Sequence, residues 1–254
     1  METTVKNIKE FKIADNIQNI YDSTFNSLIS DFNELGINYW IGGGFPLSLL
    51  LAPRQPLNDG ASPTTYIIDK SYYGDIDFFF LTELDFWKAR YCLSKFPAAY
   101  ENQNQATYYY NGNNIQLVKY NFGSPDTLME DFDLINCSIF IDKNMNIITH
   151  PEFYKTILKK EIKMNKFRFN LIQDLEEFKN YSYIIASRLA KYANRYEWSL
   201  EPNTRKYIQA VVNHMPDIKY SEAKVIYSGS SSYVSHKNKN IWEPITPYGI
   251  QIPS

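Results

Sequence analysis

Cysteine is scarce in this chain, and its scarcity removes two explanations for the fold at once. Only Cys92 and Cys137 occur in 254 residues, without CxxC spacing or companions. Neither a structural zinc nor a disulfide framework is therefore indicated. Both cysteines sit in apolar runs, where free buried thiols are expected. Histidine is equally thin: His150, His214 and His236 show no ligand spacing and are not expected to bind metal. No apolar run reaches the roughly 18 residues that a membrane-crossing helix needs, and the N-terminus lacks the basic-then-apolar pattern of a secretory signal. A soluble, cytoplasmic protein without a membrane partner is expected. The GxxxxGK[ST] pattern is missing too, which places kinase-like phosphate binding last among nucleotide chemistries.

What the chain has in abundance is rings. With 21 Tyr and 16 Phe, its core is expected to be built on aromatic contacts. A hydrophobic fraction of 44% and a charged fraction of 21% are those of an ordinary globular protein, and the length suits one large domain or a catalytic domain with a smaller helical one. The net charge of −2 is unevenly spread. Residues 1–150 hold 10 Lys+Arg against 18 Asp+Glu, and residues 151–206 hold 12 against 7. An acidic front suits metal–nucleotide chemistry, and a basic follow-on suits a polyanion such as RNA. A solvated helix face explains the basic segment equally well.

The stretch from Tyr39 to Phe80 organises the rest. A strand over 37–41 runs into Gly42-Gly43-Gly44, and Phe45-Pro46-Leu47 opens a short helix whose first N–H groups suit phosphate. After a turn-rich insert, Pro53–Tyr72, a second apolar strand carries Asp75 and Asp77. Period-2 geometry sets both carboxylates on one face, opposite Ile76 and Phe78. Paired anions among aromatics are costly unless a cation joins them, and a divalent ion carrying phosphates would do so.

The remaining pattern gives a helix over 15–35 stopped by Gly36, and a helix from the Thr82-x-x-Asp85 capping box to about Phe96. A hairpin is expected over 106–120, turning at Asn111-Gly112, with Tyr108-Tyr109-Tyr110 alternating between buried and exposed. A short helix runs through Met129, and a long strand over 131–142 carries Asp131 and Asp133. From Pro151 the pattern is helical, over 151–163, 173–196 and 202–214. Arg188, Lys191, Tyr192 and Arg195 share one face of the middle helix. The expected organisation is a catalytic domain at 1–150, a helical region at 151–220 and an irregular tail at 221–254.

Nucleotidyl transfer uses two divalent ions held by carboxylates on adjacent strands. Asp75 and Asp77 supply two carboxylates, and Asp133 could supply the third if its strand pairs beside theirs; Phe132 and Leu134 bracket Asp133, which favours it over Asp131. Lys119, Arg188, Lys191 and Arg195 could contact a triphosphate or a nucleic-acid backbone, with surface ion pairs as the commoner explanation for each.

The glycine pair after a strand, Gly-Asp-x-Asp on the next strand and the later apolar-Asp-apolar run resemble the DNA polymerase beta-type nucleotidyltransferase superfamily. With Ile115-Gln116-Leu117, Phe122-Gly123-Ser124-Pro125, Cys137 and Arg188-x-x-Lys191-Tyr192-x-x-Arg195, the wider run is similar to nucleotidyltransferase-like proteins of large DNA viruses and phages. The resemblance covers roughly residues 37–196. It implies an α+β fold, a nucleotidyltransferase-like mixed β-sheet with flanking helices followed by a helical C-terminal region. It also implies Mg2+ (or Mn2+), an NTP such as ATP as donor, and a hydroxyl acceptor, an RNA 3′ end foremost. Asp75, Asp77 and Asp133 carry over as metal ligands, and Gly43 and Gly44 as the triphosphate-binding turn; Lys191, on the helix that looks like the family's, is expected as a further nucleotide contact. Gly44 stands where the family usually has serine, so phosphate contacts there rest on backbone N–H. The competing function is a non-catalytic viral or phage interaction or virion protein that retains the fold.

Overall fold

The computed structural model describes residues 4–7, 14–25, 27–53, 55–56, 66–165 and 175–207. The chain divides into two compact units. The first holds residues 1–129 and 137–151, and the second holds 130–136 and 152–254.

The first unit is an eight-stranded mixed sheet with helices on one face. In chain order its elements are β1 (Thr4–Asn7), α1 (Ala14–Phe25), α2 (Ser27–Glu34), β2 (Tyr39–Gly42), α3 (Gly44–Leu51), the short pair β3 (Gln55–Pro56) and β4 (Tyr66–Ile67), then β5 (Asp75–Phe80) and α4 (Glu83–Leu93). There follow β6 (Ala98–Glu101), β7 (Gln105–Tyr110), β8 (Asn113–Phe122), α5 (Pro125–Leu128), β9 (Ile139–Asp142) and β10 (Asn146–Thr149). The sheet order is β1-β10-β9-β2-β5-β8-β7-β6. β5 and β8 pair in parallel, whereas the other neighbours in this sheet are antiparallel.

Alternation along each strand splits the sheet into two chemical faces. Ile76, Phe78, Ile115, Leu117 and Ile41 are fully buried on the helix side. Phe78 is the hub: its ring meets Phe25 of α1 and Phe32 of α2 edge-on, both at 5.5 Å. Phe25 in turn meets Phe45 of α3 at 5.7 Å, and Phe80 meets Phe86 of α4 at 5.9 Å. The ring-built core expected from composition is present. Tyr108 and Tyr110 are buried and Tyr109 is exposed, the alternation expected of that run, and the Tyr110 hydroxyl donates to Phe25 O at 2.6 Å.

Several elements differ from their expected extents. The helix expected over 15–35 is described over Ala14–Phe25 and Ser27–Glu34, and both stretches bury rings against Phe78. Gly42 belongs to β2 rather than to the turn, paired with Asp77 on one side and Phe140 on the other. The insert contains the β3–β4 pair and a 3-10 turn at Lys70–Tyr72. The long strand over 131–142 is not formed. Met129–Asp131 and Ile135–Cys137 are 3-10 turns, and only Ile139–Asp142 is strand.

The second unit explains that last difference. It comprises α6 (Phe153–Lys159), β11 (Glu161–Ile162), α7 (Leu175–Tyr196), β12 (Ser199–Leu200), which pairs in parallel with β11, and a last helical turn over 202–207. Ile185, Ala186, Leu189, Ala190 and Ala193 of α7 are buried. The segment 130–136 spends its backbone here: Asn165 N–H donates to Asp133 O at 2.7 Å, Ile135 N–H to Lys163 O at 2.9 Å, and Leu134 bridges Met164. Asn136 is fully buried. Its amide donates to Thr156 Oγ1 and Glu161 O and accepts from Lys163 N–H. The backbone of Asp133 and Ile135 pairs here with residues 163–165, and the segment on either side of Leu134 is closed into 3-10 turns. The expected positions 208–214 and the tail 221–254 lie outside the described residues.

Candidate metal and nucleotide site

Asp75 and Asp77 stand on the sheet face opposite the helices, half-buried, two residues apart on β5. Their neighbours follow from register. On the β8 side, Asn114 pairs with Asp75 and Gln116 with Asp77. The Asn114 amide donates to Asp75 Oδ1 at 3.1 Å, and the Gln116 amide donates to Gln105 Oε1 of β7 at 2.8 Å. On the β2 side, Asp77 faces Gly42.

The three glycines do three different things. Gly42 is a packing residue: a Cβ there would lie 2.5 Å from Phe140 Cε1 and 2.8 Å from Phe79 Cε2, and those rings meet edge-on at 5.3 Å. Gly43 is the turn, at φ 78° and ψ −131°, a conformation natural to glycine. Its N–H is taken by Ile139 O at 3.1 Å. Gly44 opens α3. Pro46 has no N–H and Leu47 N–H closes onto Gly43 O, so the first-turn donors left for an anion are those of Gly44 and Phe45. The triphosphate turn expected at Gly43 and Gly44 thus presents Gly44 and Phe45 as donors, with Gly43 shaping the backbone.

A strap ahead of β5 holds this turn against the carboxylate strand. Ser48 is fully buried, its hydroxyl 2.7 Å from both Gly44 O and Tyr72 O; it is a tie, not a phosphate ligand. The Tyr73 ring packs edge-on against Phe45 at 5.1 Å, and its hydroxyl donates to Asn113 Oδ1 at 3.0 Å. Burial, with the Asp69 charge adding to it, pushes the Tyr73 hydroxyl up to about 12, so it remains a donor at any physiological pH.

The remaining expected site residues are carried by the second unit and by β8. β5 is flanked by β2 and β8, so the strand that was to bring Asp133 beside Asp75 and Asp77 is not there. Asp133 belongs to the second unit, its carboxylate 2.8 Å from Arg188 Nε and its side chain 7% exposed. Among the described residues, no group of three or more His, Cys, Asp or Glu side chains is placed to hold a metal ion. Lys191 and Arg195 of α7 lie over the Tyr192 ring, at 5.6 and 5.2 Å from its centroid. Lys119 lies over Trp87 at 4.9 Å. The structure therefore brings together Asp75, Asp77 and the glycine turn, and adds two residues given no site role from sequence: Asn114, and Gln116 of the run Ile115-Gln116-Leu117. Their signal was the alternation Asn114-Ile115-Gln116-Leu117, readable as site-facing once β8 is known to run parallel beside β5.

Oxygen-rich, thiol-free and imidazole-free, this donor set fits a hard divalent cation such as Mg2+ or Mn2+. Comparison with known proteins bears on it directly. A family model described as Gabija anti-defense 2 family protein matches residues 11–160. The chain belongs to that family. The matched span contains the glycine turn, both strand carboxylates and Asp133. Among solved structures, a CCA-adding enzyme with ATP is similar in fold at a TM-score of 0.63 and 12% identity, covering 97% of this chain and 55% of that one. A CCA-adding enzyme with CTP is similar at 0.60 and 13%, covering 97% and 53%. The Thermotoga maritima CCA-adding enzyme complexed with tRNA is similar at 0.56 and 13%, covering 97% and 54%. The chain thus spans about half the length of these structures. No curated protein matches it in sequence. The likeness is one of fold: this member of the Gabija anti-defense 2 family has the nucleotidyltransferase-like α+β fold expected from its sequence. Among the described residues, no helix is long and apolar enough to cross a membrane.

Proposed function

We propose that this protein is a metal-dependent nucleotidyltransferase that binds an NTP between the Gly43–Gly44 turn and the Asp75–Asp77 pair and transfers its NMP to a hydroxyl acceptor. The observation that carries this reading is the pairing of β2 with β5, which sets Gly42 opposite Asp77 and so puts the turn that follows beside the carboxylates. A divalent ion bound there with the nucleotide would neutralise phosphate charge and lower the barrier to attack on the α-phosphorus. Asp75 and Asp77 would hold it, with Asn114 fixing the orientation of Asp75. Gly44 and Phe45 N–H would take phosphate oxygens. In the reaction the acceptor oxygen bonds to the α-phosphorus, the α–β anhydride breaks, pyrophosphate leaves, and the hydroxyl proton passes to solvent or a base. The basic segment 151–206, including Lys191, favours RNA as acceptor, as does the tRNA bound to a structural relative.

A second reading is favoured by Asn114 and Gln116, since the parallel strand beside Asp75 and Asp77 carries two neutral amides and adds no carboxylate to the pair. On that reading the protein binds a nucleotide without turning it over and acts against a defence system through that binding, as its family's description suggests.

Each labelled NTP, incubated with the protein, Mg2+ or Mn2+, and total RNA or cell lysate, separates the two. Transfer of label by the native protein, lost in Asp75→Ala and Asp77→Ala, is the expected result, and Asp133→Asn in the same panel tests the third ligand. Binding without transfer, abolished in the Asp75 and Asp77 variants, selects the second reading. Transfer that survives in Asp77→Ala removes the site altogether.

A further inference from the structure

Gln116 is the register partner of Asp77 on the parallel neighbouring strand, and its neighbours on β7 are polar as well. Its amide N–H group is turned to Gln105 Oε1 at 2.8 Å, so its own carbonyl oxygen is left for something other than Gln105. Gln105 is 8% exposed and Thr107, the register partner of Gln116 on β7, is 2% exposed. Gln105 Nε2 and Thr107 Oγ1 have no hydrogen-bond partner. Buried polar atoms are ordinarily satisfied, so this row of amide and hydroxyl groups is unusual for a strand interior.

We propose that Gln116, oriented by Gln105, takes the third ligand position with a neutral carbonyl oxygen, and that the site in consequence holds one divalent ion per bound nucleotide rather than two. The inference rests on the reading of Asp75 and Asp77 as a metal–nucleotide site. Its physical basis is charge. Two carboxylates cancel the formal charge of one divalent ion, and a second ion would have only amide oxygens and phosphate to hold it. Ligand charge count is a principal control on the affinity of oxygen sites for such ions. Asn114 reinforces the deficit by donating a hydrogen bond to Asp75 Oδ1, which occupies a lone pair that a bridging carboxylate would otherwise offer to a second ion.

The test counts ions per protein–nucleotide complex by native mass spectrometry, with the full chain in excess over a non-hydrolysable ATP analogue (and GTP, CTP and UTP analogues in parallel arms) and Mn2+ titrated in. The native complex is expected to carry one Mn2+. Gln116→Glu is expected to carry two, and Asn114→Asp provides a second variant in which a carboxylate is added beside the pair. Two ions in the native complex, or one ion in both folded variants, would overturn the inference while leaving the nucleotide site in place. Two ions in the native complex falling to one in Asp133→Asn would overturn it and return the third ligand to Asp133. A native complex whose ion and nucleotide are unaffected by Asp77→Ala, or no complex at all, would overturn the underlying site as well.

Discussion

Gly42, Gly43 and Gly44 are adjacent and chemically identical, yet only Gly43 needs a conformation peculiar to glycine. Gly42 is required for the space it leaves, since an added methyl would drive into the Phe79 and Phe140 rings. Gly42→Ala is therefore expected to lower stability by ~1–3 kcal/mol, the usual cost of overpacking, seen as a lower urea midpoint with an unchanged slope. An unchanged midpoint would mean that the rings move aside freely. A run of glycines announces a turn in any sequence, but which of them turns and which one packs depends on rings that come from Phe79 and Phe140, far along the chain. Ser48 teaches the same lesson. It lies one helical turn past the glycines as a small helix residue, and only the approach of Tyr72 O shows its hydroxyl to be an internal tie.

Local elements were the more legible the more they depended on neighbours in sequence. Thr82-x-x-Asp85 reads as a capping box, and the cap is formed: Asp85 N–H donates to Thr82 Oγ1 at 3.2 Å and Thr82 Oγ1 to Asp85 Oδ2 at 2.6 Å. Beyond what the box implies, Asp85 Oδ1 accepts from Asn38 N–H at 3.0 Å, joining α4 to the entry of β2. Asp85→Ala leaves that N–H and the Thr82 hydroxyl unmet, and a loss of ~1–3 kcal/mol is expected. Asp85→Asn, which keeps an acceptor, should recover part of it in the same thermal or urea melt. The pairing of β5 with β8 was harder to see, because it joins strands separated by α4, β6 and β7 and no local pattern specifies a parallel partner. That is why the amides beside the carboxylates were missed while the carboxylates themselves were not. In the second unit, Glu201 gives a pH test. Burial alone would raise its carboxyl, but hydrogen bonds from Thr204 and Asn203 and the Lys163 charge bring it below the usual 4.5. A lowered folded value means that its stabilisation is fully present above about pH 4.5 and is lost as pH falls through the folded value. The difference in melting temperature between the native protein and Glu201→Gln should be widest near pH 7 and shrink toward zero in stronger acid. A difference that stays constant across this range would show that its charge is not what stabilises.

At the scale of the whole chain, the division into units does not follow sequence order. The chain passes between units after residues 129, 136 and 151, and nothing in Asp131-Phe132-Asp133-Leu134-Ile135 announces that 130–136 leaves the first unit and returns. The alternation of Phe132 and Leu134 with aspartates, continued by Ile135, reads as strand, and here the backbone partners at residues 163–165 override it. A chain cut after residue 151 would keep 130–136 and lose the Arg188 partner of Asp133, the Lys163 carbonyl for Ile135 N–H, and the Thr156, Glu161 and Lys163 groups around Asn136. Leu134 and Ile135, buried in the full chain, would face water. The truncated protein is expected to melt earlier and less cooperatively than the full chain. Cys137, fully buried and next to the segment, is expected to react with a thiol reagent in the truncated protein under conditions where it stays protected in the full one, with Cys92→Ser removing the second thiol from both. Equal protection of Cys137 in the two proteins would mean that 130–136 finds its fold within the first unit, and that its pairing with residues 163–165 is dispensable.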